Sequence, residues 1–445
     1  MIRFFTISLI LSFHINLAAQ SAYSILAPSA RLSEFTATSY LPNSYIGVGS
    51  VSPSASLNFS VGDFFESSGN AISNLVDSRA YLGAHVNVNN EIFSYIKKGR
   101  KKGWSALGLN LSMNSSFQLD RDFLRLATSG ILPEGFGSEK VESKGIEVQA
   151  HLFSELYFHK VRRIGKLSYG YRLRLVNPIA GAQFLTERFN VERINNVNEN
   201  SFEVDYSFLT STYGFDPANI ALPTFGLNSV FGPNSSFMFD FGFEQELSSK
   251  LHFGLAVKNV PGSLTVKDVN QTRISGELDY SGINYTIGVD SITNVFNDLV
   301  SFELDSLLPK VEDVTDASLK MPINPKIQCN ITRYLSEESV LFINATLRPS
   351  SFESEFRTSA FIYSRPNKLF HISYGLNWWT NNNSVDFTVA GRMLVGPYTR
   401  VSLGMSNPFA LPRIAPNGAV LVPENFQGFN VSVGVSFGIY KGEEF

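Results

Sequence analysis

Apolar and polar residues alternate one by one along residues 104–119. From residue 107 the chain reads LGLNLSMN, with apolar residues at odd positions and polar or small residues at even ones. Successive side chains of a β-strand point to opposite faces, so this segment predicts a strand with one apolar and one polar face. The same pattern returns along most of the chain in segments of about ten or more residues, the length that crosses a bilayer in barrel proteins.

Counting these segments predicts an all-β fold, a transmembrane antiparallel up-and-down β-barrel of about fourteen strands. An additional hairpin over residues 264–289 would raise the number to about sixteen. The expected strands are 57–65, 81–96, 104–119, 146–159, 167–175, 237–244, 251–258, 319–334, 340–348, 355–363, 369–379, 384–395, 398–407 and 427–440.

Connection lengths support the barrel and give it an orientation. Short connections such as 97–103, 162–166 and 247–250 alternate with long ones such as 183–235 and 261–318. Bacterial barrels have short periplasmic turns and long outer loops, which would place both termini in the periplasm. Within the long connection 261–318, apolar residues recur at helical spacing over residues 292–300. This spacing indicates a short helix that caps the outer loop, with a ligand gate as the alternative.

Composition fits the same interpretation. The chain is 44% hydrophobic, 13% aromatic and 17% charged, and its mean hydropathy is +0.01. A helical membrane protein needs about 20 consecutive apolar residues for each span, and the only long apolar run is 4–17. A barrel dilutes its apolar outer face with a polar inner face. A secreted β-sandwich or β-helix is the competing fold.

The chain divides into three expected parts. Residues 1–19 have the basic start, apolar run and small final residues of a signal peptide. Residues 20–53 are rich in Ser, Ala, Pro and Gly and are interpreted as a segment that plugs the barrel or follows its rim, and residues 54–445 as the barrel. The single cysteine, Cys329, excludes an intramolecular disulfide. A net charge of −3 gives no indication of nucleic-acid binding.

Alternation also predicts the register of two hairpins. Pairing polar with polar residues places His85 opposite Asn114, with a turn at residues 99–100. In the next hairpin, a turn centred on residues 163–164 places Glu155 opposite Arg172 inside the barrel.

Charged residues of both signs fall on the predicted inner face. A selective ion pore would show one sign at its constriction, so mixed signs favour cross-strand pairs that fill or stiffen the lumen. The lumen-facing candidates are Glu147, His151, Glu155, Arg172, Arg174, Asp240, Glu244, Lys258, Asp386 and Arg392.

No catalytic motif is present: the chain lacks GxSxG, HExxH, CxxC and a phosphate loop. No catalytic, cofactor-binding or metal-binding residue is therefore predicted. His151 and His159 lie on one strand face, but two histidines without a third ligand make a weak metal signal. Inward histidines among Glu, Gln and Arg are interpreted as hydrogen-bonding residues of the lumen.

Three stretches carry a resemblance to a known family: GKLSYGYRLRLVNPIAGAQF from residue 165, FMFDFGFEQELSSKLHFGLAVKNV from residue 237 and VGPYTRVSLGMSNPFAL from residue 395. The chain resembles an uncharacterised family of Bacteroidota outer-membrane barrels, domain of unknown function 5723. It is more distantly similar to fatty-acid-transporter-type barrels and to barrel components of type IX secretion. The resemblance implies an outer-membrane barrel and brings no catalytic residues.

The sequence thus predicts a non-enzymatic outer-membrane barrel surrounded by outer-membrane lipid. Two roles stay open: passage of a small amphiphilic or hydrophobic solute, or service as a barrel component of an envelope or secretion assembly with protein partners. The alternatives are a membrane-embedded lipid hydrolase and a plugged structural barrel.

Overall fold

The structure is a computed structural model. The residues that it describes are 44–57, 81–98, 104–123, 140–193, 202–214, 230–280, 310–315, 317–323, 325–336, 338–349, 355–364, 366, 370–379, 384–394, 399–406, 413–414, 420–421 and 428–438.

These residues form 22 strands. In chain order they are β1 (Ser44–Leu57), β2 (Tyr81–Lys98), β3 (Trp104–Asp120), β4 (Lys140–Glu142), β5 (Ile146–Ile164), β6 (Leu167–Arg193), β7 (Phe202–Tyr213), β8 (Ser236–Ser248), β9 (Leu251–Val260), β10 (Ser263–Val266), β11 (Asn270–Tyr280), β12 (Lys310–Val314), β13 (Leu319–Pro322), β14 (Lys326–Tyr334), β15 (Ser339–Arg348), β16 (Glu355–Ser364), β17 (Phe370–Trp379), β18 (Ser384–Leu394), β19 (Thr399–Ser406), β20 (Arg413–Ile414), β21 (Val420–Leu421) and β22 (Gly428–Gly438).

Fourteen of the described strands form a ring of antiparallel pairs. The order around the ring is β1, β2, β3, β5, β6, β8, β9, β14, β15, β16, β17, β18, β19 and β22, and β22 pairs in turn with β1. Every strand of the ring is therefore paired on both sides, and the expected antiparallel barrel of about fourteen strands is confirmed.

Short and long connections lie at opposite ends of the ring. Residues 165–166 join β5 to β6, and residues 249–250 join β8 to β9. The first residue of β1, Ser44, pairs with Lys97 near the short turn of β2, and Tyr45 pairs with Gly438 at the end of β22. Both ends of the ring segment thus lie at what we call the short-turn end, and the other end is the long-connection end.

Burial alternates in the opposite sense to that of a soluble sheet. On β8, Phe237 is 67% exposed and Met238 is 1% exposed, and the following residues keep the alternation, with apolar residues exposed and Asp240 and Glu244 buried. Ring stacking continues across strands, with 6.4 Å between the ring centroids of Tyr171 and Phe239. An outer face covered by large apolar side chains suits the hydrocarbon of a bilayer, where the closed ring leaves no unpaired strand edge.

The first strand lies earlier than the alternation predicted. β1 spans Ser44–Leu57, whereas the sequence placed the first strand at 57–65. Residues 44–53, interpreted from sequence as the end of a plug or rim segment, are therefore part of the wall. The Ser and Gly residues of β1 weaken the apolar alternation, which explains the error. Residues 1–43 and 58–80 lie outside the described part of the chain.

Both predicted registers are wrong, although the faces are right. His85 pairs with Ser116, because Lys98 closes on Trp104 and an irregularity between residues 91 and 93 shifts the ladder. Glu155 pairs with Val176, four residues beyond Arg172. The turn of this second hairpin falls at residues 165–166, where Gly165 has a φ of 58°. Glycine adopts that conformation at little cost, so it fixes a turn two residues later than expected.

The additional hairpin does not enter the wall. β10 pairs with β13 in a separate two-stranded sheet, and β11 pairs with β7 and β12. The wall therefore keeps fourteen described strands. β4, β7, β11, β12 and residues 181–193 of β6 form a sheet beyond the ring, which we call the extension.

Among the described residues, no helix is long and apolar enough to cross a membrane. The helical spacing at 292–300 and the tip of the basic turn, residues 99–103, lie outside the described residues.

Candidate functional site: the barrel interior

Four strands bring a charged cluster together inside the ring. Arg174 on β6 donates from Nη1 to Glu155 Oε2 on β5 at 3.1 Å and from Nη2 to Asp240 Oδ1 on β8 at 2.7 Å. Its Nη2 also donates to Asn259 Oδ1 on β9 at 2.7 Å. The backbone N of Asn259 in turn donates to Asp240 Oδ1 at 2.8 Å. We call these four residues the Arg174 cluster.

The charged side chains of the cluster are buried, so each needs a partner of opposite charge. The side chains of Arg174, Glu155 and Asp240 are 6%, 9% and 11% exposed. Charges removed from water are tolerated when they are paired and hydrogen-bonded, as they are here. Because each partner comes from a different strand, the cluster also ties β5, β6, β8 and β9 together across the interior.

Toward the short-turn end, the interior stays polar. Arg172 donates from Nη2 to His159 Nδ1 at 3.4 Å, and its guanidinium carbon lies 5.2 Å from the centre of the Tyr157 ring. His252 Nδ1 lies 2.8 Å from Glu244 Oε1, one strand further around the ring. This part of the interior therefore holds cations and acceptors in pairs.

Toward the long-connection end, an apolar patch lies next to the Arg174 cluster, and the buried polar residues Glu147 and His151 lie beyond it on β5. Phe153, Val176 and Met238 each lie two positions from Glu155, Arg174 and Asp240 on the same strand, toward the long-connection end, so they share the inner face. They form one core cluster with Tyr213 and with apolar residues of β10, β13 and their flanking chain, namely Leu264, Val266, Val269, Leu319 and Met321. The two-stranded sheet of β10 and β13, which we call the inward sheet, therefore lies inside the barrel.

On the opposite wall, most of the described inner-face side chains are neutral. Its buried polar residues on β14–β18 are mainly amides and hydroxyls: Gln328, Asn330, Thr332, Asn344, Ser359, Ser373, Asn377 and Thr388. Asn377 is central among them, because its Nδ2 donates to Thr388 Oγ1 at 2.9 Å and its Oδ1 accepts from Arg357 Nη2 at 2.8 Å. His371 shares a hydrogen bond with Tyr363 on the same wall.

Eight of the ten inner-face candidates have buried side chains: Glu147, His151, Glu155, Arg172, Arg174, Asp240, Glu244 and Lys258. Three of them, Glu155, Arg174 and Asp240, meet in the Arg174 cluster. His151 lies apart, with its Nδ1 3.1 Å from the Tyr213 hydroxyl. The side chains of Asp386 and Arg392 lie outside the described residues.

The sequence did not single out the residues that join the Arg174 cluster to the apolar patch of the interior. Asn259 and Met238 carried no chemical signal. The sequence placed β10 in a connection or an additional hairpin, and it placed β13 at the start of one wall strand, 319–334, which the structure divides into β13 and β14. Short alternation at Leu264–Val266 and Leu319–Met321 was the available signal, but each strand has only four residues, too few to stand out by periodicity.

The interior offers little for a metal ion. Among the described residues, no group of three or more His, Cys, Asp or Glu could hold one. His151 and His159 are eight positions apart on one strand, about 26 Å at ~3.3 Å per residue, so the two rings do not converge.

Several solved structures match the chain at low identity. A Pseudomonas aeruginosa FadL homologue matches at 9% identity and TM-score 0.47 over 95% of this chain and 96% of that chain. The Ralstonia pickettii toluene transporter TbuX matches at 8% and 0.43 over 91% and 94%. The Pseudomonas putida toluene transporter TodX matches at 10% and 0.41 over 94% and 95%.

No curated protein matches the chain. A family model does match it, over residues 39–439, which includes every strand of the ring, the Arg174 cluster and the inward sheet. The chain belongs to the family described as "Family of unknown function (DUF5723)".

Proposed function

We propose that this protein is a non-enzymatic outer-membrane barrel that passes a small hydrophobic or amphiphilic solute. The observation that carries the proposal is the apolar patch on the inner face, formed by Phe153, Val176 and Met238. Small-molecule sites are mostly apolar with a few placed polar groups. An apolar patch directly beside the Arg174 cluster provides both parts for an amphiphile.

The interior charges support a neutral rather than an ionic solute. Arg174 forms ion pairs with Glu155 and Asp240, and the Glu244 carboxylate is in hydrogen-bond contact with the His252 ring. Ion-selective pores present rings of one sign. Paired charges of both signs instead stiffen the wall and leave no strong preference for anions or cations.

The proposed orientation follows from the connections. The short-turn end would face the periplasm, with both chain termini there and residues 1–19 acting as an export signal. The extension, which lies at the long-connection end, would then project outward from the cell. Residues 20–43 remain proposed as a segment that reaches the lumen from the periplasmic side.

A plugged structural barrel is the second candidate, because the inward sheet packs within the interior. Uptake across an outer membrane separates the two candidates. Cells producing the protein should take up the apolar dye N-phenylnaphthylamine faster than cells carrying an empty vector. As a matched comparison, the protein with Val176→Asp and Met238→Asp should lose that gain while still inserting into the outer membrane.

Equal uptake with and without the protein would contradict passage and favour the structural barrel. Large, steady, ohmic currents from the full-length protein in a planar bilayer would contradict both candidates and favour a general porin.

A further inference from the structure

The inward sheet is attached to the barrel differently from every strand of the wall. Among the described strands, β10 and β13 pair only with each other, in a ladder from Ser263–Pro322 to Val266–Leu319. Wall strands are held by backbone hydrogen bonds on both edges. Moving the inward sheet away from the wall would therefore break no backbone ladder of the ring.

Apolar contacts hold the sheet in place. Leu264 is 1% exposed and Val266 is 0% exposed, and both belong to the cluster that includes Phe153, Val176 and Met238 of the wall. We call these three wall residues the seat. A two-stranded sheet is marginally stable by itself, so its order depends on the seat. Contacts of this kind are non-directional, and another apolar group of similar size can replace them.

The Arg174 cluster fixes the point where the chain leaves the wall. Asn259, near the end of β9, has a φ of 64°, and the chain turns inward after it through Pro261 and Gly262. Its side chain accepts from Arg174 and its backbone N donates to Asp240. The returning strand is joined to the same turn, because the backbone N of Ile323 donates to Gly262 O at 2.9 Å.

A second attachment lies at the far end of the sheet. The side chain of Asn234 accepts from the backbone N of Lys267 at 2.9 Å and donates to Lys267 O at 3.4 Å. Both of these contacts are exposed to water, so they are weaker than the buried ones at Asn259.

We propose that the inward sheet is a displaceable stopper, that the Arg174 cluster is the latch at its hinge, and that the seat binds an apolar solute when the sheet lifts. The solute would occupy the position that Leu264 and Val266 fill in the closed form. Only the binding of the solute rests on the function proposed above, since closure of the lumen by the sheet does not depend on what the barrel carries.

The latch is tested by two matched glycine variants in planar bilayers. Asn259→Gly keeps the left-handed backbone and removes the side-chain oxygen that Arg174 binds. Asp268→Gly changes the other left-handed non-glycine residue among the described residues, with a φ of 56°, in the loop after β10. We expect Asn259→Gly to raise the open probability at least tenfold and Asp268→Gly to stay within twofold of the unaltered protein. Equal currents from the two variants would overturn the latch.

The stopper is tested by a disulfide lock in a Cys329→Ser background. Cysteines replacing Asn234 and Lys267 would form a disulfide between the far end of the sheet and the chain just before β8. Cysteines replacing Thr272 and Asp313, a direct cross-strand pair of the extension, provide the matched control. We expect the first disulfide, combined with Asn259→Gly, to abolish the added openings until a reductant restores them. Openings that persist under the first lock, or that vanish under the control lock, would overturn the stopper.

Solute binding is tested by thiol labelling with Asn259→Gly and Cys329→Ser present. Met238→Cys places a thiol in the seat, and Ser359→Cys places one on the neutral inner face as a control. We expect decanol to slow labelling of the first at least fivefold and to leave the second within twofold. Equal labelling with and without decanol would overturn the apolar site and weigh against the proposed function, while the results on the latch and lock would still decide the stopper.

Discussion

The two walls of the barrel have the same outer face and different inner faces. The charged wall, β5, β6, β8 and β9, carries the Arg174 cluster, and the neutral wall, β14–β18, carries mainly amides and hydroxyls. On their outer faces both walls expose large apolar residues, such as Phe241 at 48% and Leu376 at 52%. The outer face is therefore set by the membrane and the inner face by what each wall must hold.

Only the charged wall has a segment folded onto its inner face. The chain leaves β9 at Asn259 and packs the inward sheet against that wall. A turn directed into the interior brings backbone groups with it, and buried backbone groups need partners. The Asp240 carboxylate supplies one of them. The neutral wall holds no such turn among its described residues, and small neutral side chains suffice to line it.

The largest expected difference between the walls comes from removing a buried arginine. Arg174→Met leaves Glu155 and Asp240 buried without their common partner, which should lower the free energy of unfolding by ~3–5 kcal/mol. Arg357→Met, on the neutral-wall side, removes the donor to a neutral acceptor, Asn377, and should cost ~1–3 kcal/mol. Urea unfolding of the two variants in lipid vesicles measures both values. Equal losses would show that the cluster is no more than a set of ordinary hydrogen bonds.

The outer faces should respond alike. Phe241→Arg and Leu376→Arg each place a charge in hydrocarbon and should hinder insertion by ~2–4 kcal/mol if the sites lie near the bilayer midplane. Phe241→Leu and Leu376→Phe are the matched controls and should insert normally. The measurement is the folded fraction in vesicles as a function of urea. A large cost on one wall alone would mean that the other wall is covered by protein rather than lipid.

Sequence alternation was sufficient to place Glu155 and Arg174 on one face of the charged wall but not to identify their partners. The face of a residue depends only on local parity, so Glu155 and Arg174 were assigned correctly to one side. Their pairing depends on where the turn falls, because the ladder runs without a shift from Ile164 and Leu167 at the turn to Glu155 and Val176. The sequence therefore paired Glu155 with Arg172, whereas the ion pair forms with Arg174.

The inward sheet was beyond the reach of alternation for a different reason. Its apolar residues pack against the seat on β5, β6 and β8. Val176 of the seat precedes Leu264 of the sheet by more than 80 positions in the chain. No local pattern contains that correspondence. The same holds for Asn259, whose importance arises from its place at the hinge rather than from its residue type.

The smallest expected effect lies outside both walls, in the extension, and it concerns pH. The Glu187 carboxylate accepts from Arg273 Nε at 2.7 Å and from Nη2 at 3.0 Å. These hydrogen bonds from Arg273 hold the pKa of Glu187 below its usual value, with a smaller contribution from the Ser207 hydroxyl. A carboxyl group with a lowered pKa stabilises the folded state above its unfolded pKa of about 4.3, and this contribution is lost as the pH falls through the folded pKa.

Hydrogen exchange of the β7 and β11 amides should therefore accelerate below about pH 4, while amides of the ring keep their protection. The change should be small, because water and salt screen an exposed ion pair. Arg273→Gln removes the pair and should abolish this dependence on pH in the extension alone. If the ring and the extension lost protection together, the extension would be coupled to the walls, and the contrast between the two walls would have to include it.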